Sequence, residues 1–361
     1  MEMKKRRFKE IYIKSADPYE RGVQHGSQVR DNILEICEGY KESFAKKGFT
    51  WQEALDMAME YGPFLEREMP DLLAEARGIA DGAQVDFAIV MVLNLRYELL
   101  KLKKETPETM TENAECTCFC VLPEATWDGS TFSGQNWDKG KFVEDQLYVI
   151  HIDECNGNRI LGLSEPAQLI RNGMNTAGIS VNGSTLLSIL DKRGHAVPTN
   201  FMRRRLLQCQ TMEEAQELLD SFVPDVSLNY MIASARGEAV VYETSPRENF
   251  IVRPCQGILA KGNDFLCDPS LDRFVPADPD HMRHFRGQRL MELLKKKRGS
   301  ITAEYIMECL RDHYGYPGSV CNHLAERNLK TIASMIYVLD QGYAWMAWGN
   351  PCENEYERYE L

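Results

Sequence analysis

The segment Cys116-Thr-Cys-Phe-Cys-Val-Leu places a cysteine at every second position. In an extended chain side chains alternate between faces, so Cys116, Cys118 and Cys120 share one face of a strand. Three chemistries compete for this pattern. Small thiols pack well into cores. Clustered thiols bind metals or exchange electrons, but no closely spaced Cys or His pair follows to complete a zinc set, so no metal ligands are assigned here. The third is nucleophilic catalysis, and it singles out Cys116. This residue opens its strand and directly follows a polar segment, Lys103 to Glu115 (KKETPETMTENAE), that reads as an exposed linker. The Asp128-Gly129 pair signals a hairpin turn. The returning segment Gly134-Gln-Asn-Trp-Asp138 then runs beside Cys116 to Cys120, bringing Asp138 close to Cys116 within two or three residues of register.

A nucleophilic thiol needs a base or a cation beside it. No histidine is near Cys116 in sequence, so a Cys–His pair would have to form at long range. A second route needs none. If the Glu115–Cys116 bond is cut, the α-amine of Cys116, with a pKa of about 8, can take the proton of its own thiol, and Asp138 can orient it.

The elements that must hold these residues follow from periodicity. The chain has 361 residues, 43% hydrophobic and 27% charged, an ordinary globular composition. Its net charge of −12 argues against bulk nucleic-acid binding. No run approaches the roughly eighteen uncharged apolar residues of a membrane span, and no apolar segment follows the basic start, so no secretory signal is read. Eleven cysteines, an odd number, then suggest reduced thiols and a cytoplasmic protein. The first hundred residues read as helical: Pro18 to Lys46, Trp51 to Tyr61, Pro63 to Gly78, and Phe87 to Leu102 with Asp86 as N-cap. Strands are expected at 116–122, 131–137, 146–153, 158–163, 167–172 and 177–182, and again at 228–234, 238–243, 248–253 and 256–261. Helices are expected at 198–220, where Thr211-Met-Glu-Glu offers an internal cap, and at 279–297 and 302–313; strands close the chain at 331–340 and 343–349. Antiparallel strands with a few interposed helices imply stacked sheets covered by helices. The helical block forms a separate layer or subdomain, divided from the rest by the linker.

At these residues the sequence resembles the acyl-CoA:6-aminopenicillanate (isopenicillin N) acyltransferase family of the N-terminal-nucleophile hydrolases. The resemblance runs in order through Glu20-Arg-Gly-Val-Gln-His-Gly26, the cysteine strand with Gly134 to Asp138, Gly173-Met-Asn-Thr-Ala-Gly-Ile-Ser-Val-Asn182, Ser319-Val-Cys-Asn-His323, Thr331 to Tyr337, and Trp348-Gly-Asn-Pro-Cys352. It implies an α+β fold, a four-layer αββα sandwich with an N-terminal helical block. It also implies a precursor that cuts itself before the nucleophile, giving segments 1–115 and 116–361. The activity implied is acyl transfer through an acyl-Cys116 intermediate, from a small acyl amide or thioester to water or an amine. No cofactor is implied, although a coenzyme A thioester is admitted as acyl donor; no nucleic-acid or membrane partner is implied, and a homo-oligomer is left open. By the same resemblance Asp138 is the acid that follows Asn-Trp, and Asn263 in Lys261-Gly-Asn-Asp264 is a candidate oxyanion donor. Asn182 and Trp137 are candidate substrate contacts. The family's arginine falls at Glu326-Arg-Asn-Leu329, where Asn328 takes the matching place and Arg327 stands beside it. Glu115 departs from the small residue expected before the nucleophile, and its charge would tend to raise the thiol pKa.

The remaining candidates read more simply. His25 suits helix packing, and His281 and His284 a solvated helix face. His313 and His323 flank the loop Tyr314-Gly-Tyr-Pro-Gly318, as surface-loop packing or as a border of the acyl pocket. The basic runs Met202-Arg-Arg-Arg205 and Lys295-Lys-Lys-Arg298 read as solvated helix ends, with the phosphates of coenzyme A as the alternative partner. Trp137, Tyr230 and Trp348 are core aromatics or the walls of an apolar pocket.

Overall fold

A computed structural model of the chain describes residues 3–101, 116–192, 194, 196–273, 282–324 and 329–361. The linker and Glu115, together with His281, Arg327 and Asn328, lie outside the described residues, as does the side chain of His284.

The elements in chain order are β1 (Lys9–Lys14), α1 (Pro18–Lys46), α2 (Trp51–Met59), α3 (Gly62–Glu68), α4 (Pro70–Ala83), α5 (Phe87–Leu100), β2 (Cys116–Val121), β3 (Phe132–Lys139), α6 (Lys141–Glu144), β4 (Tyr148–Asp153), β5 (Arg159–Ser164), β6 (Asn172–Asn175) and β7 (Ile179–Thr185). Then come α7 (Thr199–Leu206), α8 (Met212–Asp220), β8 (Leu228–Ser234), β9 (Glu238–Thr244), β10 (Asn249–Val252), β11 (Ile258–Lys261), α9 (Met282–Lys295), α10 (Ala303–Leu310), β12 (Lys330–Val338), β13 (Tyr343–Trp348) and β14 (Glu357–Glu360).

The helices begin where the sequence supplies caps. Asp17 accepts from Tyr19 N and Glu20 N, with Pro18 in the first turn. Thr50 and Glu53 form a reciprocal capping box. Asp86 and Thr211 cap α5 and α8 as read from sequence. The helix expected over 63–78 is instead two, because Pro70 drives Met69 out of helical geometry (φ −143°, ψ 55°). The helix expected over 198–220 also divides, into α7 and α8, at the Thr211 cap.

The strands form two sheets. An eight-stranded sheet runs β1-β4-β5-β6-β7-β8-β9-β10, and a six-stranded sheet runs β11-β2-β3-β12-β13-β14. All pairings are antiparallel except β1 with β4. The sheets face each other: Asn182 Nδ2 on β7 donates to Ser133 Oγ on β3 at 2.9 Å, and Gly183 N donates to Gln135 Oε1 at 3.0 Å. Behind the six-stranded sheet, Leu290 and Leu294 of α9 and Ile306 and Leu310 of α10 pack on Phe119, Val121, Ile336 and Val338. The N-terminal helices with α7 and α8 share one apolar cluster with the eight-stranded sheet. The order is therefore helix, sheet, sheet, helix: the αββα sandwich that the resemblance implied.

Of the two alternatives for the N-terminal block, the structure gives a layer of the common fold rather than a subdomain, and one strand expectation needs correction. The block contains β1, whose Lys9–Lys14 register against Tyr148–Asp153 makes it an edge of the large sheet, and α5 buries Val90 to Leu95 in the common core, at about 1.5–3 kcal/mol for each large aliphatic side chain. The strand expected over 167–172 is a buried turn. Pro166 precedes Ala167, which takes a positive φ of 64°, and Gln168 N bonds back to Glu165 O. Asn94 of α5 satisfies this turn, donating to Ala167 O at 2.8 Å and accepting from Leu169 N at 3.0 Å.

The Arg21-to-Gly26 motif acquires a physical reason. A Cβ on Gly22 would lie 2.0 Å from Glu75 O, and one on Gly26 would lie 2.0 Å from Ile79 O, so α1 and α4 pack backbone to backbone. Arg21 reaches Glu75 at 3.1 Å, and His25 Nε2 meets the Tyr148 hydroxyl at 2.6 Å. Burial pushes the His25 imidazolium pKa down to about 3, so the ring is neutral and serves packing, as expected. Gly26→Ala is expected to destabilise the protein by on the order of 1–3 kcal/mol through forced helix separation. Gly62→Ala, where nothing lies within 4 Å, should stay within about 0.5 kcal/mol. Denaturant titration of both variants checks this.

Candidate active site

Cys116 is the first residue of β2 and is fully buried. Its strand pairs with β3 so that Cys116 stands opposite Trp137, within one residue of the register read from the Asp128-Gly129 turn. The alternation holds. Cys116, Cys118 and Cys120 belong to the core between the sheets, while Phe119 and Val121 face α9 and α10. Cys118 Sγ contacts Gln135 Oε1 at 3.5 Å, and burial pushes both the Cys118 and Cys120 thiols up, Cys120 to about 12. These two cysteines act as packing groups.

Asn263 follows β11, whose register against β2 carries the chain end to Cys116. Its Oδ1 accepts from Cys116 N at 2.9 Å and from Arg286 Nη2 at 3.3 Å; its Nδ2 donates to Thr185 O at 2.8 Å. Asn263 thus meets Cys116 through its oxygen and crosses to β7 through its nitrogen. Asp138 stands one residue beyond Trp137. Its carboxylate accepts from Thr331 Oγ1 at 2.7 Å and from Asn322 Nδ2 at 3.0 Å.

The electrostatic surroundings hold residues that sequence reasoning missed. Arg171 Nη2 lies 4.0 Å from Cys116 Sγ, and its guanidinium sits 4.9 Å from the centroid of the Trp137 ring. Arg171 enters the site from the buried turn clamped by Asn94. Its sequence signal was a lone cation at the end of the apolar run Ala167 to Ile170, just before the Asn172-Gly173 motif. Burial raises the Cys116 thiol pKa; Arg171 opposes this, the Asp138 carboxylate adds to it, and a backbone hydrogen bond from Asp138 and the charge of Arg203 lower it again. Among the described residues, the charges that act most on this thiol are those of Arg171, Asp138 and Arg203. Lys139, next to Asp138, is a further titratable neighbour: burial and the Arg96 charge push its ammonium down to about 7.

The Met202 to Arg205 run is not a solvated helix end. Arg203 and Arg204 are buried, Arg204 against Glu75 at 3.0 Å and Glu154 at 2.6 Å, and Arg205 reaches Asp71 at 2.6 Å. Arg203 differs from both. Among the described residues its Nε and Nη2 have no hydrogen-bond partner, and neither has Nη1 of Arg171. Burial, then the neighbouring Arg171, pushes the Arg203 guanidinium down to about 9. Gly183 makes room for it, since a Cβ there would sit 3.0 Å from Nη2. Tyr230 lies beside Arg203, and Trp137 faces Cys116. Trp348 stacks on Phe8 at 4.8 Å. The run from Lys295 to Arg298 is exposed at the end of α9, as expected.

Removing the Arg171 charge should raise the Cys116 pKa further. Below that pKa the thiolate fraction falls tenfold per unit of increase, so Arg171→Gln should slow iodoacetamide alkylation of Cys116 and move its pH profile upward. An unchanged profile would separate Arg171 from the thiol.

Residues 126–353 match the family described as acyl-coenzyme A:6-aminopenicillanic acid acyl-transferase. The 40 kDa form of acyl-coenzyme A:6-aminopenicillanic-acid-acyltransferase from Emericella nidulans is 24% identical over 315 residues, covering 86% of this chain and 83% of that protein. Among solved structures, a variant of conjugated bile acid hydrolase from Clostridium perfringens aligns with a TM-score of 0.47 at 17% identity, over 68% of this chain and 97% of that one. Penicillin V acylase from Agrobacterium tumefaciens aligns with a TM-score of 0.37 at 13% identity, over 66% and 75%. With well over half of its length matched, the chain belongs to the acyl-coenzyme A:6-aminopenicillanic acid acyl-transferase family.

Proposed function

We propose that the protein is an N-terminal-nucleophile amidohydrolase or acyltransferase whose nucleophile is Cys116. The observation that carries this reading is the placement of Cys116 at the start of an inner strand, its N–H bonded to Asn263 Oδ1 and its sulfur beside Arg171. In maturation the Cys116 thiol attacks the Glu115 carbonyl. The peptide C–N bond breaks, Cys116 N takes a proton, and water hydrolyses the resulting thioester. The freed α-amine then accepts the thiol proton, with Asp138 and Lys139 setting the local charge. The thiolate attacks an acyl amide or thioester. Asn263 Oδ1 is taken up by Cys116 N and one Nδ2 hydrogen by Thr185 O, so the oxyanion falls to the second Nδ2 hydrogen, a role worth about 3–4 kcal/mol where such donors have been removed, and the acyl group passes to water or an amine. The pairing of β1 with β4 would keep segments 1–115 and 116–361 together after cleavage.

Hydrolysis of an N-acyl amide is the favoured reaction, with a coenzyme A thioester as the alternative donor. The buried first basic run is paired or turned inward, which leaves Lys295 to Arg298 as the run exposed to phosphate. The unpartnered nitrogens of Arg171 and Arg203 favour a substrate that carries a carboxylate near the scissile bond. A charge-assisted hydrogen bond is worth about 1.5–3 kcal/mol. Arg203→Met should therefore lower kcat/KM for an N-acyl amino acid by about 10- to 100-fold more than for the matched N-acyl alkylamine, which loses only the smaller effect of the Arg203 charge on the thiol. Equal losses on both would remove the carboxylate from the reading.

Maturation is tested by intact mass spectrometry. The wild type should give two pieces, the larger beginning at Cys116, and Cys116→Ala one uncut chain. Asp138→Asn should slow cleavage by at least about a hundredfold. An uncut wild type that hydrolyses amides would overturn self-processing.

A further inference from the structure

Away from Cys116, four side chains from distant parts of the sequence converge. His313 Nε2, Cys321 Sγ, His323 Nε2 and Cys352 Sγ all lie within 4.8 Å of one another. His313 to His323 is 3.1 Å, Cys321 to His323 3.4 Å, Cys352 to His323 3.4 Å, and Cys321 to Cys352 3.6 Å. Hydrogen bonding does not account for this. An imidazole nitrogen carries either one hydrogen or one lone pair, yet His323 Nε2 has both sulfurs, the other imidazole and Asn350 Nδ2 within 3.4 Å. One cationic centre shared by all four atoms does account for it. With Zn–S near 2.3 Å and Zn–N near 2.0–2.1 Å, a tetrahedron has edges of about 3.8 Å (S–S), about 3.6 Å (S–N) and about 3.3 Å (N–N). The four measured separations follow that order and fall within a few tenths of an ångström of it.

We propose that His313, Cys321, His323 and Cys352 form a structural zinc site. Two thiolates and two imidazoles are a ligand set that favours zinc over oxygen-seeking cations. All four positions are filled by protein, as in a structural rather than a catalytic centre. The outer contacts suit thiolate ligands: Asn350 Nδ2 lies 3.5 Å from Cys321 Sγ and 2.8 Å from Asn322 O. His313, exposed at the rim, gives the ion an entry path. The metal would tie the loop after α10 to the turn after β13. Between two of its ligands stands Asn322, whose amide holds the Asp138 carboxylate at 3.0 Å. Its role is therefore to fix the support of Asp138, with no part in bond making.

Elemental analysis of untagged full-length protein tests the site whether or not Cys116 is the nucleophile. The expected result is about one zinc per chain, retained in Cys118→Ser and lost in Cys352→Ser. His313→Ala, which changes an exposed residue and should fold normally, should lose zinc to a chelator at least about tenfold faster. Cobalt(II) exchanged into the wild type should show thiolate charge-transfer absorption that Cys352→Ser lacks. A folded wild type that holds no zinc and takes up no cobalt would overturn the proposal. So would a Cys321–Cys352 disulfide in a non-reducing peptide map.

Discussion

The hydrogen bond from Cys116 N to Asn263 Oδ1 is the contact on which the candidate site depends. It fixes the first residue of β2, and with it the direction in which the thiol leaves the backbone. Asn263 can do this only because β11 pairs with β2 on one side and its own nitrogen reaches Thr185 of β7 on the other. Cys116 is therefore held by the sandwich itself. A shift of either sheet would displace the anchor, and a buried amide N–H left unpaired costs about 1–3 kcal/mol.

Charge is distributed in opposite senses inside and outside. The chain carries a net charge of −12, yet Arg171 and Arg203 stand near the buried thiol. Buried cations are expensive unless paired, and the fold distinguishes two cases. Arg204 and Arg96 meet the carboxylates of Glu75, Glu154 and Glu165, so they are structural. Arg171 and Arg203 have no ion pair with a carboxylate among the described residues and keep unpartnered nitrogens; Arg171 lies over the Trp137 ring and Arg203 Nη1 donates to Asn200, and an anion in the site would offset the rest of their cost. In a low-dielectric interior those interactions are stronger than in water.

Local signals carried much of this into the sequence. The period-two cysteines, the Asp128-Gly129 turn and the capping residues are short-range features, so the β2–β3 hairpin and most helix starts were legible. What escaped was long-range. β1 is one short alternating stretch whose partner begins at Tyr148, more than a hundred residues away. Ala167 to Ile170 reads as a strand by composition, yet Pro166 and the Asn94 side chain make it a turn. The Met202 to Arg205 run looked solvated because Glu75 and Glu154, which pair with it, are far off in sequence. For the same reason His313 and His323 read as loop residues: Cys352, which completes their cluster with Cys321, is 29 residues beyond His323 and belongs to another turn.

The central claim is that Cys116 carries the acyl group. Its most direct test is to quench the mature protein during turnover of a slow acyl substrate at mildly acid pH and map the added mass by peptide sequencing. The account predicts one acyl group per chain, on the sulfur of Cys116, released by hydroxylamine. An adduct on another residue, or undiminished turnover in Cys116→Ala supplied as two separately expressed segments, would contradict it.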